Sequence, residues 1–264
     1  MALRIATWNI NSVRLRMPLL LRLMQEQQPD IICLQETKVE DDKFPFEPIR
    51  EAGYDHTAIA GMKSYNGVAI LSRRPFAFEG PRHWCDKEDC RHVSVTLEDG
   101  TEVNNFYIPA GGDIPDPEKN DKFAHKLRFL REITGWFEGM KGDGKRRVLV
   151  GDLNIAPLEH DVWSHKQLLD VVSHTPIEVD LLGKLQSSLG WVDAVRHFVP
   201  ETEKLYSWWS YRAKDWEASD RGRRLDHVWV TPDLVPHLAG QQVLKPVRGW
   251  EKASDHVPVL VDLA

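Results

Sequence analysis

Long apolar runs are missing from this sequence. No stretch of its 264 residues approaches the roughly 20 consecutive apolar residues needed to cross a bilayer, so a membrane-spanning segment is not expected. The opening, Met1 to Leu15, has no basic start, apolar middle and small-residue cleavage site, so no export signal is expected either. Cysteine is scarce. Three cysteines, an odd count, do not make a disulfide framework, and a reducing cytoplasm is the expected location. Low-complexity segments are absent, which argues against disorder. Nor is there an excess of positive charge: 34 Lys and Arg stand against 40 Asp and Glu, a net charge of −6. Any polyanionic partner must therefore be held by local clusters of cations.

What is present is a large supply of core side chains, with ten Trp, nine Phe and five Tyr. Short runs rich in β-branched residues predict strands at Arg4 to Trp8, Ile31 to Leu34, Val68 to Leu71, Val93 to Leu97, Val103 to Phe106, Val148 to Val150, Val228 to Val230 and Val257 to Val261. Helical spacing of apolar residues predicts helices from Pro18 to Gln28 and from Asp121 to Phe137. No linker interrupts the pattern, so residues 1–264 read as one α/β domain, with two packed sheets and helices outside them. Cys33 reads as a small buried hydrophobe. His83, Cys85, Cys90 and His92 are ligand types that suit zinc, but all four come from one short segment, whose centre, Asp86 to Asp89, reads as a solvated hairpin tip.

Acids and amides cluster at the strand ends. Asn9 and Asn11 close the first strand, Gln35 and Glu36 the second, and Asp152 and Asn154 a later buried run, whereas Asp226 and the Asp255-His256 pair come just before theirs. If the later strands run antiparallel to the earlier ones, all of these groups reach one rim. Four carboxylates gathered there, Glu36, Asp152, Asp226 and Asp255, would repel one another unless a cation neutralised them. Oxygen ligands without thiolates point to a hard ion, Mg²⁺ or Mn²⁺, and the usual substrate of such a site is a phosphate ester.

The same residues lie in motifs that resemble those of bacterial exonuclease III. They are Trp8-Asn9-Ile10-Asn11-Ser12-Val13-Arg14, Leu34-Gln35-Glu36-Thr37-Lys38, Tyr65-Asn66-Gly67-Val68-Ala69, Asn105-Phe106-Tyr107-Ile108-Pro109, Gly151-Asp152-Leu153-Asn154, Ser207-Trp208-Trp209-Ser210-Tyr211-Arg212, Arg224-Leu225-Asp226 and Ser254-Asp255-His256. That family of apurinic/apyrimidinic endonucleases has a four-layered α/β sandwich of two packed, mostly antiparallel sheets flanked by helices. The resemblance implies metal-dependent hydrolysis of DNA: cleavage 5′ to abasic sites, 3′→5′ removal of nucleotides from duplex ends and cleaning of blocked 3′ ends, each leaving a 3′-hydroxyl. It implies Glu36 as the principal metal ligand with Asn9 and Asp255 nearby, and Asp152, Asn154 and His256 within reach of the ion. Asp152 would orient or deprotonate the attacking water, Asn154 would hold a phosphate oxygen, and Asp226 would fix the tautomer of His256, which stabilises charge on the phosphorane. Tyr107 would support the phosphate or the leaving oxygen. Either Asp152 or His256 could be the general base.

The implied substrate is double-stranded DNA with abasic sites or 3′ ends, acted on by a monomer. Asn11, Arg14, Lys38, Tyr65 and Arg212 are the motif-matched contacts, and Phe106 and Trp208 the walls of a pocket for an extruded abasic sugar. Arg16, Lys145-Arg146-Arg147 and Arg221, Arg223 and Arg224 are further cations near the motifs. Trp209 reads as core. Residues Leu158 to Leu182 depart from better-known members and read as a loop that reaches a DNA groove, with Trp163 as a wedge or a lid. Two other readings stand beside this one: a phosphodiesterase or phosphatase acting on lipids, inositol phosphates or RNA, and a non-catalytic binding module. The second would leave Glu36, Asp152, Asn154, Asp226 and His256 as polarity without a task.

Overall fold

The β-branched runs assemble into two six-stranded sheets in a computed structural model that describes residues 2–264. Numbered along the chain, the first sheet holds β1 (Leu3–Asn9), β2 (Ile31–Gln35), β3 (His56–Ala60), β4 (Val68–Ser72), β13 (Leu238–Val243) and β14 (Val259–Leu263), in the order β13-β14-β1-β2-β4-β3. The second holds β5 (Phe76–Ala77), β6 (His92–Leu97), β7 (Glu102–Tyr107), β8 (Arg147–Asp152), β9 (Val192–Asp193) and β12 (Asp226–Val230), in the order β5-β6-β7-β8-β12-β9. Each sheet contains one parallel pair, β1 with β2 and β7 with β8, and its other neighbours are antiparallel. A parallel pair needs a crossover, and the helices α1 (Met17–Gln27) and α3 (Asp121–Glu138) supply it.

The strands are buried on both faces because each sheet is an inner layer. Ile5, Ile31, Cys33 and Ile70 of the first sheet meet Val95, Val103, Val150 and Val228 of the second. The alternate residues face outward, where Trp8, Ile32 and Leu34 pack on Leu20, Leu23 and Met24 of α1. Phe106, Leu149 and Trp229 pack on Phe123, Leu127 and Leu130 of α3 and on Leu182 and Leu185 of α5 (Pro176–Ser188). The result is the expected four-layered sandwich. One polar bridge crosses the apolar interlayer: Gln35 Nε2 donates to Asn105 Oδ1 at 2.7 Å, and Asn105 Nδ2 donates to the Leu34 and Ala69 carbonyls.

Several expectations need correction. The strand expected from Val257 starts at Val259, since Pro258 has no N–H for the ladder. Strands β3 and β13 lie at the sheet edges, where polar residues such as Gln241 and Gln242 hide the pattern. The segment Leu158 to Leu182 is not all loop: α5 begins at Pro176, behind a capping box of Thr175 and Glu178. The thiol and imidazole groups between His83 and His92 do not converge. His83 is exposed, burial pushes the Cys85 thiol up to about 11, and the His92 ring stacks on Phe106 with centroids 3.9 Å apart. Among the described residues no helix is long and apolar enough to cross a membrane.

His92 gives stability a pH dependence. Burial holds its pKa down, to about 3, against 6.5 for a free histidine. Above pH 6.5 neither state is protonated and nothing is lost; as pH falls below 6.5 the unfolded chain takes up a proton that the folded one refuses. The expected loss at pH 5 relative to pH 8 is about 2 kcal/mol from this residue. Urea denaturation of the wild type and His92→Gln at the two pH values checks it, and an equal pH response of the two proteins would exclude His92 as the cause.

Candidate active site

The crossover topology puts the polar strand ends on one rim. β1, β2, β7 and β8 all end there, with Asn9, Glu36 just after Gln35, Tyr107 and Asp152. β12 and β14 run the opposite way, so Asp226 opens its strand at that rim and Asp255 and His256 sit just ahead of β14. The rim encloses a cleft of about 670 Å³ whose lining includes Asn9, Glu36, Tyr107, Asp152, Asn154, Trp208, Arg212, Asp255 and His256.

At its floor a buried imidazole stands between two carboxylates. His256 Nδ1 donates to Asp226 Oδ2 at 2.8 Å, and its Nε2 is 3.7 Å from Asp152 Oδ2. Burial alone would lower the pKa of His256, but Asp226, Asp152 and Asp255 outweigh it and raise the group to about 10. Burial, aided by Asp226, raises Asp152 to about 7, against the lowering effect of His256 and of the Asn9 amide. Ser207 Oγ donates to Asp226 Oδ2 at 2.6 Å, and the Trp8 indole donates to the His256 carbonyl at 3.1 Å. Asn9 Nδ2 donates to Asp152 Oδ2 at 2.9 Å. Asn154 Nδ2 donates to the Ile108 carbonyl at 2.9 Å and to Asp152 Oδ2 at 3.1 Å, so its amide braces Asp152 and holds no free hydrogen for a phosphate.

Glu36, just after β2 of the first sheet, lines the same cleft. Its Oε1 accepts from the Tyr107 hydroxyl at 2.9 Å, with Lys38 Nζ at 3.5 Å. Burial, Glu36 and Asp152 all raise the Tyr107 pKa well above its usual value, so the phenol remains a donor. The Glu36 backbone is left-handed, φ 56°, as is Lys38 at 53°, a conformation that side-chain-bearing residues adopt at a cost of about 1–3 kcal/mol. Hydrogen bonds hold the turn: Ser12 N to Glu36 O, Thr37 N to Gly67 O and Lys38 N to Asn66 O. A Cβ on Gly67 would lie 2.1 Å from Thr37 Oγ1, so the Tyr65-Asn66-Gly67 motif needs glycine to let this backbone close on the Glu36 turn. Gly151 is required likewise, since a Cβ there would lie 1.9 Å from the Phe106 carbonyl.

Not every expected residue reaches the cleft. Asn11 and Lys38 stand behind its lip: Asn11 Nδ2 donates to Asp255 Oδ1 and Lys38 Nζ donates to Asn11 Oδ1. Asp226 lies behind His256. Arg14 and Tyr65 are exposed on neighbouring loops and do not line the cleft. Phe106 is not a pocket wall; it is fully buried on the opposite face of β7, because side chains alternate along a strand and Tyr107 takes the cleft side. Arg16 is buried and holds the carbonyls of Lys252 and Ala253. Lys145 and Arg147 pair with Glu102 at the far end of β8, and Arg224 is locked between Asp161 and Asp193. Trp209 is core, as expected, and Trp163 lines the cleft beneath Arg221, whose guanidinium lies 4.7 Å from its ring centre.

A fully buried ion pair behind the site escaped the sequence reading. Lys126 Nζ pairs with Glu178 and donates to the Ala110 and Asn154 carbonyls, while Glu178 accepts from Ser173 N, Thr175 N and Thr175 Oγ1. It ties together three loops, which place Ala110, Asn154 and Ser173 in the cleft wall. Lys126 occupies an otherwise apolar helix face, a signal that reads as surface until α5 is known to cover it. Among the described residues, Asp152, Asp226 and His256 offer ligand atoms within 4.8 Å of one another, but both ring nitrogens of His256 are directed at carboxylates. Among the described residues the Glu36 carboxylate accepts a hydrogen bond only from Tyr107, its side chain is 20% exposed, and Asn9 and Asp255, which line the same cleft, also present oxygen. That donor set suits a hard divalent cation.

Comparison with known proteins finds likeness over nearly the whole chain. Residues 6–256 match the model of the Endonuclease/Exonuclease/phosphatase family. The chain is 29% identical to exodeoxyribonuclease III of Haemophilus influenzae, over 97% of this chain and 98% of that protein. An AP endonuclease from Archaeoglobus fulgidus has 33% identity and a TM-score of 0.89, with 98% of each chain covered. A 3′ phosphatase from Neisseria bound to a product DNA hairpin has 30% identity and a TM-score of 0.90, with 99% of each chain covered.

Removing one partner of the buried pair has a defined consequence. Lys126→Met leaves the Glu178 carboxylate buried without its cation and should cost about 3–5 kcal/mol of stability. Adding Glu178→Gln, which removes the buried charge and keeps one acceptor oxygen for the Ser173 and Thr175 donors, should restore more than half. Urea denaturation of both variants measures it, and an equally unstable double variant would mean that charge burial is not the cause.

Proposed function

The chain belongs to the Endonuclease/Exonuclease/phosphatase family, among its exonuclease III and AP endonuclease members, and we propose that it is a divalent-metal-dependent DNA-repair phosphodiesterase. Its substrates would be duplex DNA with an abasic site, cut on the 5′ side, and duplex 3′ ends, from which it removes nucleotides or blocking groups. The observation that carries this reading is the imidazole fixed between Asp226 and Asp152 in a cleft that Glu36 also lines. One chain supplies all of these groups, so a monomer suffices.

The chemistry follows from their positions. Asp152, held by amides of Asn9 and Asn154, would orient a water for in-line attack on phosphorus and accept its proton. His256, kept cationic by Asp226, would direct Nε2–H at an oxygen on which charge grows. Tyr107 would hold Glu36 in place with its one hydroxyl hydrogen. Glu36, with Asn9 and Asp255, would hold Mg²⁺ or Mn²⁺, which when bound supplies Lewis-acid stabilisation of the phosphate and leaving oxygen. Two exposed apolar side chains directly adjoin cleft-lining residues in sequence: Ile114 follows Gly112-Asp113, and Tyr211 lies between Ser210 and Arg212. Such residues, with Arg212 and Arg221 among them, suit insertion between bases and contact with a phosphate backbone, where an inositol phosphate would leave them in water.

Incubation with two duplexes, one with an internal abasic site and one with recessed 3′ ends, in Mg²⁺ and in EDTA, tests the assignment. Metal-dependent cutting 5′ to the abasic site and shortening from the 3′ end are expected; cleavage of neither would overturn the DNA reading. Asp152→Asn and His256→Ala should each lower turnover by about 10²–10⁴-fold while duplex binding, measured by gel shift, persists. Glu36→Ala should shift the Mg²⁺ activation curve to higher concentration, and an unshifted curve would remove Glu36 as a ligand.

A further inference from the structure

One wall of the cleft holds a cation that the chemistry above leaves unused. Trp208 lies on β10 (Trp208–Trp209), between two backbone partners: Arg223 of β11 (Gly222–Arg223) on one side and His256 on the other. Its indole N–H donates to Asp255 Oδ2 at 3.0 Å, which fixes the ring, and the Arg223 guanidinium carbon lies 5.4 Å from the ring centre. Arg223 Nη1 donates to the Val172 carbonyl at 3.0 Å and to Ser173 Oγ at 2.7 Å. Nε is buried with no protein partner, and among the described residues Nη2 is neither bonded nor buried, so it is left to the cleft. A guanidinium immobilised in this way, against an aromatic face and with donors unused, is suited to binding an oxyanion. Other arginines near the motifs, such as Arg16 and Arg224, are consumed by carbonyls or carboxylates of the protein.

The substrates of the proposed reaction differ in what phosphorus carries on the side away from the departing 3′-oxygen. At an abasic site it carries a neutral sugar, and at an unmodified 3′ end a whole nucleoside. At a 3′-phosphate it carries only oxygen, with additional negative charge. We propose that Arg223 is a specificity-determining residue that binds the non-bridging oxygens of a phosphomonoester at a DNA 3′ end and biases the enzyme toward 3′-phosphate removal. This rests on the DNA phosphodiesterase reading above. In the step concerned, the water oxygen bonds to phosphorus and the bond from phosphorus to O3′ breaks. Its electron pair stays on O3′, which takes a proton, and the products are a 3′-hydroxyl and inorganic phosphate.

The test compares kcat/KM for phosphate release from a 3′-phosphorylated duplex with kcat/KM for cleavage of an internal abasic site. Wild type, Arg223→Leu and Arg223→Lys are assayed in Mg²⁺. Arg223→Leu should reduce phosphate release at least about tenfold more than abasic cleavage, with Arg223→Lys between it and wild type. Parallel loss of both activities, the signature of a purely structural role, or an unchanged ratio would overturn the inference. If the Leu variant fails to fold, Arg223→Gln, which retains a donor for Ser173, is read by the same ratio. A wild type that cuts abasic sites but releases no phosphate sinks this inference alone, whereas a wild type that cuts neither sinks the function it rests on.

Discussion

Three hydrogen bonds between the two sheets hold the site, and the rest of the structure serves to make them possible. Asn9 of the first sheet donates to Asp152 of the second, Tyr107 of the second donates to Glu36 after β2 of the first, and His256 ahead of β14 donates to Asp226 of β12. Neither sheet alone contains a working half. The apolar interlayer brings the rims together, and the buried bridge from Gln35 to Asn105 fixes their relative registration just beneath, since a slip of one residue would leave these amides unpaired. The geometry of the candidate site therefore depends on how the sheets dock.

The two sheets also repeat a local plan. Each has a parallel pair joined by a helix and flanked on both sides by antiparallel strands: β14-β1-β2-β4 in one, β6-β7-β8-β12 in the other. Crossovers return the chain to the same edge, so the ends of four strands and the starts of two antiparallel ones converge without long loops. Charge is organised as selectively as polarity. Arg147, Arg196 and Arg224 are taken up in buried networks with Glu102, Asp143, Asp161 and Asp193, while Arg212, Arg221 and Arg223 remain beside the cleft. A net charge of −6 is therefore compatible with a basic flank to an acidic site.

Much of this was legible in the sequence because the constraints are local. Strands buried on both faces leave runs such as Val148 to Val150, and polar residues placed immediately after them mark the rim. Phe106 was misassigned because proximity to Tyr107 in a motif says nothing about face, and alternation along β7 sends the two side chains into different layers. Lys145 to Arg147 precede Asp152 by a few residues, yet a strand's length separates them from the cleft. Edge strands β3 and β13 and helix α5 were missed because their signals depend on what packs against them. Lys126 is the extreme case: its meaning lies in Glu178, 52 positions away. The Gly67 contact is similar, visible as a motif but explicable only once the Glu36 turn is seen to need a backbone without a Cβ beside it.

The position of β14 has a consequence for biosynthesis. It is inserted between β13 and β1, with Leu3 paired to Leu263, so β1 keeps an open edge until β14, far later in the chain, leaves the ribosome. Translation at about 5–20 residues per second makes this a wait of many seconds, during which β1 is exposed to wrong partners. His256 emerges just ahead of β14 and completes the link to Asp226 as that gap closes. A chain cut short before this point thus lacks His256 and an interior strand of the first sheet together, so the sheet and the candidate site are completed in the same step.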